Sequence, residues 1–252
     1  MHHSKAIILS NYNFKENDKI INFYTRDFGK KELLAIGARK INSKLNPHLQ
    51  YFTVLEICFV KGRNLDRLTS ASIKENYFKI NSSLKAIALG NFCLGVIDQL
   101  IKSSHPDESI FDLITELFEL LNKDLKKNHL EDLLISIFLM RFLSFLGYAP
   151  ELYICLKCKN KAGKEGNFFS FKRGGLVCAK CHQEDGASQA ISAEAIKILR
   201  LFLSEELEVA EKIKAPKEIL RQVNKITINF LAFHLEPTAK SEQLLKWAIT
   251  RL

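Results

Sequence analysis

The hydrophobic rhythm of the chain changes near residue 81. Before that point apolar residues come in short runs, rich in β-branched and aromatic side chains. The runs are SKAIILS, DKIINFYT, KELLAIGAR, YFTVLEICFV and LDRLTSASI, broken by NYNFKEN, DFGK, the stretch around Asn46-Pro47, and KGRN. Runs of this kind bounded by turn residues predict five strands. In YFTVLEICFV one face carries Thr53, Leu55, Ile57 and Phe59, and the other Val54, Glu56, Cys58 and Val60. A strand apolar on most of both faces suits a position between a barrel interior and a covering domain. Five short antiparallel strands fit an OB-fold, the small barrel that commonly binds single strands; an SH3-like barrel fits the count nearly as well.

From Asn81 onward the period is that of helices. Ser82 or Ser83 is placed to cap a helix from Leu84 to Ile101. After His105-Pro106-Asp107, the residues Ile110, Leu113, Ile114, Leu117, Leu120 and Leu121 form one apolar stripe. A third helix, from about Leu130 to Leu146, is apolar nearly all round and ends at Gly147, which predicts the buried centre of a bundle. Ser192 and Pro216 mark two further helix starts, and Pro237 stops the second before a short last helix holding Trp247. The predicted class is α+β: a five-stranded OB-fold barrel, then a helical domain with an inserted four-cysteine module. The expected division is a nucleic-acid-binding barrel at 1–80, helical segments at 81–150 and 187–252, and the metal module at 151–186. The chain carries no internal repeat and no low-complexity tract.

Composition and charge narrow the class. With 252 residues, 47% of them hydrophobic, the chain has the make-up of a globular protein. No apolar run reaches the roughly 20 residues of a bilayer span, and MHHSKAIILSN lacks a signal-peptide core and cleavage site, so a cytoplasmic location is expected. His2 and His3 are expected to be tail residues rather than ligands. The net charge is +9, with Lys+Arg against Asp+Glu at 14 to 7 in residues 1–80, 6 to 9 in 81–150, 7 to 4 in 151–186 and 10 to 8 in 187–252. A basic excess concentrated in the strand-rich segment is an electrostatic footprint for a polyanion, nucleic acid before membrane.

The chemistry of the sequence lies in CLKCKNKAGKEGNFFSFKRGGLVCAKC, residues 155 to 181. Cys155 and Cys158, then Cys178 and Cys181, have the spacing of a four-thiolate zinc site. In a compartment that keeps thiols reduced, such pairs read as metal ligands or redox centres rather than disulfides. Four thiolates close a tetrahedral zinc ion and leave no position for substrate, so the predicted role is structural. FFSF and Gly174-Gly175 read as a short hairpin returning the chain to the metal, and Lys157, Lys159, Lys172, Arg173 and Lys180 are placed to offset the thiolate charge. His182, adjoining Cys181, is a competing ligand, though simple exposure is the commoner outcome for such a neighbour. Cys58 and Cys93 sit in apolar stretches and read as small core residues. A zinc deaminase would need a proline where Ile154 stands, and the pair of His129 and Glu131 would leave Cys178 and Cys181 unexplained. The sequence has no phosphate loop and no dinucleotide fingerprint.

Gly29-Lys30 after Thr25, Gly37-Ala38-Arg39-Lys40 with Ser43-Lys44 and Leu49 to Phe52, and Leu146-Gly147-Tyr148 running through the four cysteines with Phe171 and Gly174-Gly175-Leu176 occur in that order. In these residues the chain resembles, over essentially its whole length, the bacterial recombination mediator family RecO. The resemblance implies a non-enzymatic DNA-repair protein with an OB-fold, a helical domain and one structural zinc ion. It further implies binding of single- and double-stranded DNA, annealing of complementary strands, action with RecR, contact with the tail of the single-stranded DNA-binding protein, and help in loading RecA. A nucleoid-associated cytoplasmic location follows from the same resemblance.

On that reading Lys30, Lys31, Arg39, Lys40, Lys44, Arg63 and Arg67 are the candidate phosphate contacts, with Arg39 first. Tyr24 and Tyr51 are candidates for base stacking or for core packing. Arg141 on the third helix is a candidate for the rim of a tail-binding pocket or for an ion pair within the bundle, for example with Asp132. The competing classes are an RNA-binding or transcription-associated zinc protein and a scaffold whose basic face docks an acidic protein.

Overall fold

Inward-facing apolar residues at every second position close the first 76 residues into a barrel. The computed structural model describes residues 1–102, 105–123, 130–183 and 188–250, and the chain divides into two compact units, Met1–Asp124 and Leu125–Leu252. The first unit opens with β1 (His2–Phe14), β2 (Asp18–Thr25), β3 (Gly29–Ala35), β4 (Thr53–Val60) and β5 (Asp66–Asn76). They form a closed barrel in the order β1-β2-β3-β5-β4, the OB-fold arrangement. Four of the five pairings are antiparallel as expected, but β3 meets β5 in parallel, Leu33 beside Asp66 and Leu34 beside Arg67. The interior holds Ala6, Ile8, Ile21, Phe23, Leu33, Ala35, Leu55, Ile57, Phe59 and Leu68. Leu55, Ile57 and Phe59 thus supply the inward face of β4, a choice between two largely apolar faces that the sequence leaves open. β1 serves two partners, β4 through His2–Ala6 and β2 from Ala6 onward, and a register shift between Ile8 and Ser10 bends it from one to the other.

Two helices complete this unit, α1 (Leu84–Leu100) and α2 (Glu108–Leu121). Ser83 caps α1 by accepting from the Ala86 N–H, and Asp107 caps α2 by accepting from the Ser109 N–H. α1 packs on the outside of β1. The seam is polar at one point: Asp98, 3% exposed, accepts from Ser10 Oγ at 2.8 Å and lies 2.9 Å from Lys30 Nζ. Asn22 Nδ2 donates to the same Ser10 Oγ at 3.0 Å, and Lys30 also donates to the carbonyls of Asp98 and Ile101 at the end of α1. The ammonium and carboxylate satisfy each other out of water, where one alone would carry an uncompensated charge.

The second unit is built on α3 (Leu130–Leu143), whose residues from Leu133 to Leu143 are buried apart from Arg141. The bundle centre predicted here is confirmed, but the α-helix ends three residues early in a wider π turn over Ser144–Tyr148, with Gly147 at φ 86°. A small sheet follows, of β6 (Asn167–Ser170), β7 (Gly175–Cys178), the single-turn helix α4 (Ala179–His182) and β8 (Ser188–Ile191), in strand order β7-β6-β8. α5 (Ala193–Ser204), α6 (Lys217–His234) and α7 (Ala239–Ile249) complete it, with α5 and α6 against α3. Ser192 and Pro216 stand at the starts of α5 and α6 as the sequence predicts, and Thr238 caps α7 with Ser241 reciprocating. His129 lies outside the described residues.

The ion pair on the seam yields a stability prediction. Asp98→Ala leaves the Lys30 ammonium half buried beside carbonyls alone and should destabilise the protein by about 3 kcal/mol. Lys74→Ala, which breaks the more exposed 3.7 Å pair with Glu56, should cost under about 1 kcal/mol. Urea titration of the two variants measures the contrast.

Candidate metal centre and nucleic-acid interface

The strongest local chemistry is in the small sheet of the second unit. The Sγ atoms of Cys155, Cys158, Cys178 and Cys181 all lie within 4.8 Å of one another. Cys158 and Cys178 are 3.8 Å apart, far beyond the roughly 2.05 Å of a disulfide. Each pair sits on a tight turn. The Lys159 N–H donates to the Cys155 carbonyl at 2.8 Å, with Lys159 in the left-handed region at φ 63°. The second turn is the start of α4, immediately after Cys178 at the end of β7. The β6-β7 hairpin pairs Asn167 with Cys178 and Ser170 with Gly175, and so returns the chain to the first cysteine pair as predicted.

Entry into the module depends on one glycine. Glu151 bridges to Gly175 in parallel, its N–H donating to the Gly174 carbonyl and its own carbonyl accepting from the Leu176 N–H. A Cβ on Gly175 would stand 2.4 Å from the Glu151 carbonyl oxygen. That approach sets Cys155 beside β7, and the Leu156 N–H then donates to the Leu176 carbonyl at 2.8 Å.

The thiols are pushed in opposite directions. Burial raises Cys155, but the backbone N–H groups of Cys158, Cys178 and Lys157 outweigh it and hold the thiol at about 6. Cys178 is lowered chiefly by the Cys181 N–H, while burial and the neighbouring sulfurs push Cys181 up to about 12. Amide donors aimed at sulfur favour thiolates, and four crowded thiolates need a cation among them. The residues fit a metal ion, with these four cysteines as its ligands. His182 is not among them: its ring stacks on Phe168 at 3.7 Å, and its Nδ1 pairs with Ser188 Oγ at 2.6 Å.

The second candidate surface is on the barrel. Residues 36–52 join β3 to β4. The start of this connection is fastened to the β1-β2 turn: the Gly37 N–H donates to Asp18 Oδ1 at 2.8 Å and the Arg39 N–H to the Asn17 carbonyl at 2.9 Å. The Arg39 guanidinium donates to the Glu16 carbonyl at 3.1 Å. Arg39, Lys40 and Lys44 are exposed there together, and Lys15 stands on the turn that holds them. The parallel register orders the remaining cations along the β3-β5 seam. Arg67 lies beside Leu34, and Arg63 precedes it in the β4-β5 turn, where a Cβ on Gly62 would clash with the Leu65 carbonyl at 1.8 Å. Among the described residues no carboxylate pairs with Arg39, Lys40, Lys44, Arg63 or Arg67.

Lys31 and Lys30 are placed differently. Lys31 is half-buried, with its Nζ 3.9 Å from Asp66, and Lys30 is the seam ion pair already described. Tyr24 is buried, and its hydroxyl donates to the Asp107 carbonyl and accepts from the Asp107 N–H. Tyr51 packs against the barrel interior and accepts from Asn11 Nδ2 at 3.0 Å. The exposed barrel tyrosine is Tyr12, whose hydroxyl donates to Glu32 at 2.9 Å. Sequence reasoning passed over it because it stands inside the turn-like stretch NYNFKEN, which the structure continues as strand through Phe14. Arg141 stacks over the Phe145 ring at 5.8 Å. Cys93 is fully buried as expected, whereas Cys58 is half-buried with its sulfur 2.9 Å from His3 Nδ1. His2 and His3 are part of β1, His2 stacking on Phe59, and do not form a loose tail.

Fold and site together define the class: an OB-fold barrel protein whose helical part carries a four-cysteine module. The model of Recombination protein O N terminal matches residues 1–77, and that of Recombination protein O C terminal matches residues 81–243. The chain belongs to the RecO family of DNA repair proteins. It is 26% identical over 244 residues to the DNA repair protein RecO of Caldicellulosiruptor saccharolyticus, covering 97% of each chain. Likeness to the DNA repair protein RecO of Desulfatibacillum aliphaticivorans is 28% over 249 residues, covering 96% of this chain and 95% of the relative. No helix among the described residues is long and apolar enough to cross a membrane.

The close approach at Gly175 generates a prediction. Gly175→Ala should force β7 away from Glu151 and lower the stability of the module by about 1 to 3 kcal/mol. A metal ion loaded onto the four cysteines should then be lost to a chelator faster than from the unmodified protein, followed with a colorimetric metal indicator.

Proposed function

We propose that this chain is a non-enzymatic recombination mediator: it binds single- and double-stranded DNA, anneals complementary strands and, with RecR, helps load RecA onto DNA coated by single-stranded DNA-binding protein. The observation that carries this reading is the set of exposed cations on a closed OB-fold barrel, Arg39, Lys40 and Lys44 on the β3-β4 connection, Arg63 in the β4-β5 turn and Arg67 at the start of β5, in a chain of the RecO family. Long cationic side chains on pinned loops neutralise phosphates and release counterions, which gives affinity without sequence preference. Such a surface holds two strands by their backbones and leaves the bases free to pair. Lys30 and Lys31 have a different part in this reading, holding the barrel to α1 and β3 to β5. Contact with the acidic tail of the single-stranded DNA-binding protein is assigned to the helical part of the chain, and location to the nucleoid-associated cytoplasm.

The metal in this proposal is one zinc ion. Four thiolates at about 2.3 Å in a tetrahedron stand about 3.8 Å apart, which matches the separation of Cys158 and Cys178. Zinc bound this way supplies folding energy and no open coordination position. Elemental analysis of protein purified without a metal-affinity step should give one zinc per chain, and Cys155→Ser with Cys178→Ser should give none. Full zinc retention in that double variant would refute the assignment.

Fluorescence anisotropy with a labelled mixed-sequence single strand tests the interface. Arg39→Ala with Lys40→Ala should reduce the slope of log affinity against log salt by about 1.4, at about 0.7 per phosphate on a single strand. An unchanged slope would place the phosphate contacts elsewhere, and stronger binding to RNA of equal length would move the protein to the RNA-binding class.

A further inference from the structure

The β3-β4 connection carries a residue that neither the barrel nor the phosphate reading uses. Ile41 is exposed to 109% of the value for an isolated residue, more than any other large apolar side chain among the described residues. It is not a failed core residue. The connection already anchors itself with Ala38, which is fully buried, and with Leu45 and Leu49, which pack against the barrel interior. Ile41 is the surplus.

Nor does Ile41 sit on a slack loop. Below it the Arg39 N–H and guanidinium are tied to Asn17 and Glu16. Before it the Lys40 N–H donates to the Gly37 carbonyl, and across it the Ser43 N–H donates to the Lys40 carbonyl, a turn closing directly over Ile41 and Asn42. Beyond it Ser43 Oγ accepts from the N–H groups of Leu45 and Asn46. A fastened turn therefore holds out one branched apolar side chain, with little ordering left to be done on binding.

The charge around that tip selects the ligand. Residues 36 to 46 contain Arg39, Lys40 and Lys44 and no acidic residue. An apolar side chain that directly follows two cations, with a third three residues on, suits a strand with a charged backbone and an apolar stack of bases. Isoleucine is among the side chains that proteins insert between base steps.

We infer that Ile41 is a wedge that enters between successive bases of a DNA strand whose phosphates Arg39, Lys40 and Lys44 hold. The inference rests on the DNA-binding reading above and adds to it a contact with the bases. Lys40, next to the wedge, reaches the phosphate at the parted step, so insertion and phosphate contact occur at one place. Parting a step exposes base edges and keeps the strand extended, the form in which a complement can pair with it. It also makes the contact independent of sequence, because every base step offers the same apolar gap.

The test uses the full chain and a single strand carrying one 2-aminopurine between adenines, whose fluorescence rises when its neighbours unstack. The unmodified protein should bind with a rise in fluorescence. Ile41→Ser should weaken binding about tenfold and abolish the rise while leaving the salt slope unchanged; Ile41→Leu should restore both. Lys40→Ala should instead lower the salt slope and retain the rise at saturation. Saturable, salt-sensitive binding by the unmodified protein with no rise, or Ile41→Ser matching it in affinity and signal, would overturn the wedge and leave the DNA-binding reading standing. Absence of binding at low salt would overturn both.

Discussion

The parallel pairing of β3 with β5 sets the rest of the first unit. Parallel neighbours cannot be joined by a hairpin, so the chain leaving β3 must travel before it can make the β4-β5 hairpin and return beside β3. That journey is the connection 36–52, and it carries Arg39, Lys40, Ile41 and Lys44. Closure also removes free sheet edges, so the connection lies over a rigid support. Fastening it to the β1-β2 turn through Gly37 and Arg39 turns a topological necessity into a presented surface. Arg39 serves twice, as a cation and as the strut that positions its own loop.

A different constraint governs the cysteine module. Its apolar cluster is small, with Val177 and Phe168 around the cysteines themselves. A three-stranded sheet of four-residue strands buries little surface of its own, and a metal ion held by the four cysteines would supply the missing cross-link. A tetrahedral ion with four protein ligands would have no open position for substrate. Amide donors lower Cys155 and Cys178 toward the thiolate form that a metal ion takes, while burial and the neighbouring sulfurs raise Cys181.

Much of this was legible in the residues. Short β-branched and aromatic runs between turn residues located the five strands, while a strand apolar on both faces, as in YFTVLEICFV, left open which face turns inward. The cysteine spacing located the four residues whose sulfurs converge, because each pair must share one turn. What the sequence concealed was relational. Nothing local in LDRLTSASI distinguishes a parallel partner from an antiparallel one. Lys30 looked like any lysine near a turn, and only the tertiary fold sets Asp98 of α1 against it. Tyr24 and Tyr51 looked like available aromatics until α2 and Asn11 supplied partners for their hydroxyls. Ile41 was invisible for the opposite reason, since an isoleucine in a loop is ordinarily expected to be buried.

The central claim is that the cationic barrel surface brings complementary strands together. Its most direct measurement is the annealing rate of two complementary oligonucleotides precoated with single-stranded DNA-binding protein, with and without the chain, at low and at physiological salt. The account predicts a large acceleration that falls with salt and is lost with Arg39→Ala and Lys40→Ala together. Tight strand binding with no acceleration, or an acceleration indifferent to those two residues, would contradict it.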